Sequence, residues 1–198
     1  MSSAANHTLG PGPKTLAERG AGAHDSYGGK NEIGRDGEVT MEVAVVYESM
    51  FGNTRLIAEA IAEGMGQANP GAHVAIVPVT EASSDKLAAV DLLVVGGPTH
   101  IRRMSSSRTR KDLAPGPGLR EWMSTLPSGV AGKRAAAFDT RFGYPLSGAA
   151  ARPISRHLHG HGYVIVAKPE GFIVRQAKGP LKDGERERAR AWGARLVS

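Results

Sequence analysis

The sequence has no cysteine. Disulfides, thiolate metal centres and cysteine nucleophiles are therefore excluded, and a chain that needs no oxidising compartment is expected in the cytoplasm. Long apolar runs are also missing: no stretch approaches the roughly 20 apolar residues that cross a bilayer, so no membrane association is expected. Aromatic residues make up only 5% of the chain, which makes each ring worth assigning to core or to ligand platform. Large apolar residues are scarcest over positions 1–40, which hold eight glycines and two prolines. Such a segment buries too little surface to offset the cost of ordering it, and reads as a disordered tail. It has no apolar core of the secretory kind, and its mixed charges oppose a transit peptide. Met41 stands directly before the first apolar run, so a functional extension and a mis-assigned start both account for residues 1–40, with one domain over 41–198.

The domain is organised around Val43–Met65. Val43, Ala44, Val45, Val46 and Tyr47 form an apolar run without alternation, as in a strand covered on both faces. From Thr54 onward Leu56, Ile57, Ala60, Ile61 and Met65 follow a helical period that ends at Gly64 and Gly66. Between them lies Glu48-Ser49-Met50-Phe51-Gly52-Asn53-Thr54, which offers hydroxyls, a permissive glycine and the unpaired amides of a helix start. These groups suit a phosphate. The loop contains no lysine and has neither the P-loop spacing nor the dinucleotide fingerprint, which disfavours a nucleoside triphosphate and NAD and leaves a small monophosphate. An ordinary strand-to-helix turn capped by Ser49 or Asn53 is the plainer alternative.

Further strands are expected over His73–Val79, ending near a sheet edge at Pro78, over Asp91–Val95, breaking at Gly96-Gly97-Pro98, and over Lys133–Phe138 and Tyr163–Ala167. Helices are expected after Ser83, over Gly118–Leu126 and Ser147–His159, and from Asp183 to the end. Strands alternating with helices imply an α/β fold with parallel pairing through right-handed crossovers.

Ser49-x-x-Gly52-Asn53-Thr54 after an apolar strand resembles the phosphate loop of the flavodoxin family, where it holds the phosphate of FMN. The resemblance spans residues 42–197 and implies a doubly wound five-stranded parallel sheet of order 2-1-3-4-5, with the ligand outside the carboxyl ends of the strands. It implies contacts to FMN from Ser49, Met50, Phe51, Gly52, Asn53 and Thr54. The loop after the third strand, with Pro98, Thr99 and His100, resembles the one that lies along the isoalloxazine; His100 and Ile101 stand where a tryptophan is frequent. The loop after the fourth strand brings Asp139, Thr140, Arg141, Phe142 and Tyr144, with the two rings as stacking platforms and Asp139 either capping the next turn or accepting from a flavin N–H. No catalytic side chain is assigned. The insert 104–118, rich in Ser, Arg, Pro and Gly, departs from short-chain flavodoxins and is open to readings as lid, dock or solvated flap.

His157, His159 and His161 alternate, and residues two apart do not share a helix face, so no metal is expected there. Residues 1–99 hold 6 Lys/Arg against 12 Asp/Glu and residues 100–198 hold 19 against 7, giving −6 and +12. A basic half favours an acidic redox partner or an anionic small acceptor; the scatter of its arginines and the lack of a binding motif argue against nucleic acid. Arg102, Arg103, Arg108 and Arg141 are expected near the ligand. Three functions follow: an FMN electron carrier, an NAD(P)H-dependent quinone-type reductase, or a binding module that kept the fold and lost the flavin.

Overall fold

The computed structural model describes residues 40–100, 103–104, 117–128, 130, 132–144, 147–176 and 178–198, with only the backbone of His100, Arg103 and Met104. The expectations for residues 1–39, most of the 104–118 insert, Arg102 and Arg108 lie outside the described residues. Elements run β1 (Met41–Tyr47), α1 (Asn53–Ala68), β2 (Ala72–Pro78), α2 (Ser84–Leu87), β3 (Leu92–His100), β4 (Arg103–Met104), α3 (Leu119–Met123), β5 (Arg134–Phe142), α4 (Ala151–Gly160), β6 (Val164–Ile165), β7 (Glu170–Val174) and α5 (Glu185–Val197).

The sheet has the order β2-β1-β3-β5-β6, with β7 continuing along β5 and β4 forming a short antiparallel partner of β3. Setting that stub aside, this is the doubly wound order 2-1-3-4-5, all parallel. Alternate strand residues feed opposite faces. Val43, Val45, Leu92, Val94, Ala136 and Phe138 pack with Ile57, Ile61 and Met65 of α1 and Trp192 and Leu196 of α5. Ala44, Val46, Leu93, Val95, Ala135 and Ala137 pack with Leu119, Trp122 and Met123 of α3 and Ile154 and Leu158 of α4. The unbroken apolar runs follow from this two-sided burial, each large side chain contributing about 1.5–3 kcal/mol. Phe138, Phe172 and Trp192 meet edge to face, each pair with centroids 6.3 Å apart. Close approach of α1 and α5 rests on two glycines: a Cβ on Gly64 would collide with the Arg190 carbonyl, and one on Gly193 with the Ile61 carbonyl.

Four expectations are corrected. β3 does not break at Gly96-Gly97-Pro98 but pairs with β5 as far as Pro98↔Thr140, because Gly96 leaves the space that the Phe138 ring fills. β5 runs past Phe138 to Phe142, so Asp139, Thr140, Arg141 and Phe142 are strand residues held by β7 rather than loop residues. The edge expected over Tyr163–Ala167 is instead two short strands around Pro169, β6 on the start of β5 and β7 on its end. α4 starts at Ala151 rather than Ser147, where Thr99 and Asp139 take up its first amides.

Candidate functional site

All the carboxyl ends of β1, β3 and β5 lie at one rim of the sheet, and the segment that leaves β1 turns there into α1. Gly52 makes the turn with φ 84°, a left-handed value that costs other residues about 1–2 kcal/mol. As N-cap it offers no side chain: α1 has no side-chain cap and no acidic residue in its first turn. The first-turn amides, which have no partner inside a helix, are thus left with the positive end of the helix dipole. Beside them the Ser49 hydroxyl is buried with no hydrogen-bond partner. An unpaired buried hydroxyl costs about 1–3 kcal/mol, and it is the type of group that a bound ligand atom satisfies.

The opposite wall comes from β3 and β5. Thr54 Oγ1 and Thr140 Oγ1 are 2.8 Å apart and share a hydrogen bond across the rim. Thr99 Oγ1 accepts the Ala150 N–H at 2.9 Å, and Asp139 Oδ2 accepts the Ala151 N–H at 2.8 Å, so the two side chains together hold the start of α4. Asp139 is fully buried, with Arg141 Nη1 3.5 Å from the same oxygen. Burial raises its carboxyl pKa, outweighing the Ala151 amide, Arg141, the Thr99 hydroxyl and the Ala150 amide, all of which favour the ionised form.

These walls enclose a cleft of about 110 Å³, lined by Ser49, Met50, Phe51, Asn53, Thr54, Pro98, Thr99, Thr140, Arg141, Phe142 and Val174. At roughly 30 Å³ per water it has the room of a phosphate group, not of a whole nucleotide. Every lining residue except Val174 was expected from the sequence. Val174 was missed because β7 was not expected; its only signal was the run Phe172-Ile173-Val174. Gly52, the N-cap of α1, does not line the cleft. Asp139 does not line it but caps α4, the first of its two sequence readings. Tyr144 stands outside, stacked on Phe142 with centroids 5.5 Å apart and 55% exposed, and Phe51 is 39% exposed. The backbone of His100 ends β3, and its side chain lies outside the described residues.

Among the described residues no three of His, Asp and Glu are placed to hold a metal ion. The histidines that meet are His157 and His161, four apart: their Nε2 atoms are 3.1 Å apart, and His157 Nε2 is 3.1 Å from the Met123 carbonyl. No helix among the described residues is long and apolar enough to cross a membrane.

An open, parallel, doubly wound sheet with an anion-type cleft at its switch point defines the class. Within it, the chain has the flavodoxin-like fold. It superposes on a flavodoxin from the domain Archaea with a TM-score of 0.58 at 22% identity, over 79% of this chain and 96% of that one. It superposes on oxidised flavodoxin 1 from Bacillus cereus with 0.57 at 19% identity, over 79% and 97%. For the two-electron reduced flavodoxin of Megasphaera elsdenii the values are 0.55 and 20%, over 77% and 98%. No protein-family model and no curated protein matches the chain.

Proposed function

We propose that the chain binds FMN and acts as a redox protein, passing electrons to a partner protein or to a small acceptor. The observation that carries this reading is the partnerless buried hydroxyl of Ser49 beside the uncapped start of α1, in a cleft of phosphate size. Ser49, the amides around Asn53 and the free hydroxyl proton of the Thr54–Thr140 pair hold the phosphate, and Arg141, the one charged residue among those described in the cleft lining, adds positive charge. Exposed Phe51 offers a face for a flat ring. When bound, the flavin supplies reversible uptake of one or two electrons; the chain binds it, orients it and excludes water from the phosphate.

The excess of +12 over residues 100–198 favours an acidic partner protein or an anionic acceptor, and keeps an NAD(P)H-dependent quinone-type reductase as the second reading. Titration of the purified protein with FMN and with riboflavin tests the cofactor. FMN is expected to bind at least about tenfold more tightly, the value of one charge-assisted contact. Equal affinities would remove the phosphate from the argument, and no binding of either would favour a flavin-free module. Oxidation of a nicotinamide nucleotide without an added reductase would select the second reading over the carrier.

A further inference from the structure

A second cleft, of about 1180 Å³, opens beside the first between β5, α3 and α4, with Arg141 and Phe142 in the wall common to both. Its described lining contains no Asp or Glu. Arg120 lines it from α3 and Arg152 and Arg156 from α4, and among the described residues none of these three guanidinium groups has a hydrogen bond or ion pair. Arg152 and Arg156 are four apart on a helix that has no acidic residue at all, so their like charges repel along one face. Nothing within the described fold compensates that repulsion. Three arginines that line one concavity without an acidic neighbour in its described lining match an anion with several oxygens, since guanidinium binds phosphate through two parallel hydrogen bonds. The spacing of four, about 6 Å along the axis, places both arginines on one face of α4, within reach of two linked anionic groups. Tyr144, stacked on Phe142 and 55% exposed, lines the same cleft.

We infer that this cleft is a binding site for a nucleotide-like ligand, a flat ring joined to a diphosphate, with Arg152, Arg156 and Arg120 holding the phosphates and Tyr144 stacking on the ring. The inference does not depend on FMN in the smaller cleft, because none of these four side chains lines it. Calorimetric titration of the full chain with ADP, adenosine and inorganic pyrophosphate tests it. ADP is expected to bind at least tenfold more tightly than either fragment. The double variant Arg152→Gln, Arg156→Gln, exposed at both positions, is expected to lose at least tenfold in ADP affinity with unchanged thermal unfolding and unchanged FMN affinity. Tyr144→Ala is expected to weaken ADP and leave pyrophosphate alone. ADP binding equal to that of pyrophosphate or of adenosine overturns the inference. So does full ADP affinity in the double variant, which would put the diphosphate elsewhere.

Discussion

The hydroxyls of Thr54 and Thr140, 86 positions apart in sequence, meet at 2.8 Å across the rim where α1 faces β5. Each hydroxyl has one proton, so the pair uses one and leaves one to donate into the cleft. The two threonines therefore lock the walls together and still offer a donor, whereas the buried Ser49 hydroxyl has no protein partner at all. The chain's two kinds of hydroxyl respond differently to deletion.

Ser49→Ala removes a buried group that is unsatisfied without ligand, so the ligand-free variant is expected to be about 1–3 kcal/mol more stable than the parent. Its affinity for FMN is expected to fall about 10- to 150-fold, the equivalent of a charge-assisted bond of ~1.5–3 kcal/mol. Thr140→Val should lower stability and affinity together, because it frees Thr54 from its partner. Denaturant unfolding of the ligand-free proteins and FMN titration supply the numbers; a Ser49→Ala variant with parental FMN affinity removes Ser49 from the phosphate site.

The glycines of α1 make a sharper contrast. Gly64 lies under the Arg190 carbonyl of α5, while nothing stands within 4 Å of a Cβ on Gly66. Gly64→Ala must push two helices apart and is expected to cost more than about 2 kcal/mol. Gly66→Ala adds no contact and lowers the entropy of the unfolded chain, a gain of about 0.5–1 kcal/mol. Thermal unfolding of the two variants side by side checks the sign of each, and a neutral Gly64→Ala would mean that α5 packs more loosely than described.

The first loop was legible because a strand, a turn and a helix follow one another within Val43–Met65, where local period and turn chemistry agree. The extent of β5 was not. Asp139-Thr140-Arg141 has no apolar alternation, and its strand conformation comes from pairing with Gly171–Ile173, far along the chain. β7 is itself short and follows Pro169, so its signal is weak until β5 is there to receive it. The glycines at 96 and 97 misled for a related reason: from sequence they punctuate, whereas in the fold Gly96 makes room for Phe138. His157 and His161 were separated by reading the histidines at a spacing of two, while the contact lies at four.

Asp139 carries a pH dependence whose sign follows from its burial. Its carboxyl is raised above the ordinary value, chiefly by loss of solvent. In the unfolded chain it titrates near ~3.9. Below that value the group is protonated in both states and its contribution to stability is fully present; as pH rises through the higher folded value, the folded state must give up a proton it holds more tightly than the unfolded chain, and that contribution is lost. Asp139→Asn keeps an acceptor oxygen for the Ala151 amide and cannot titrate. The stability of the variant relative to the parent is therefore expected to rise with pH across this window and to level off above it. Urea unfolding of both proteins from about pH 3 to about pH 8 measures the difference, and the other carboxylates, common to both, cancel. A difference that falls with pH would mean that the Ala151 amide and Arg141 outweigh desolvation, and that Asp139 stabilises the start of α4 as an ion.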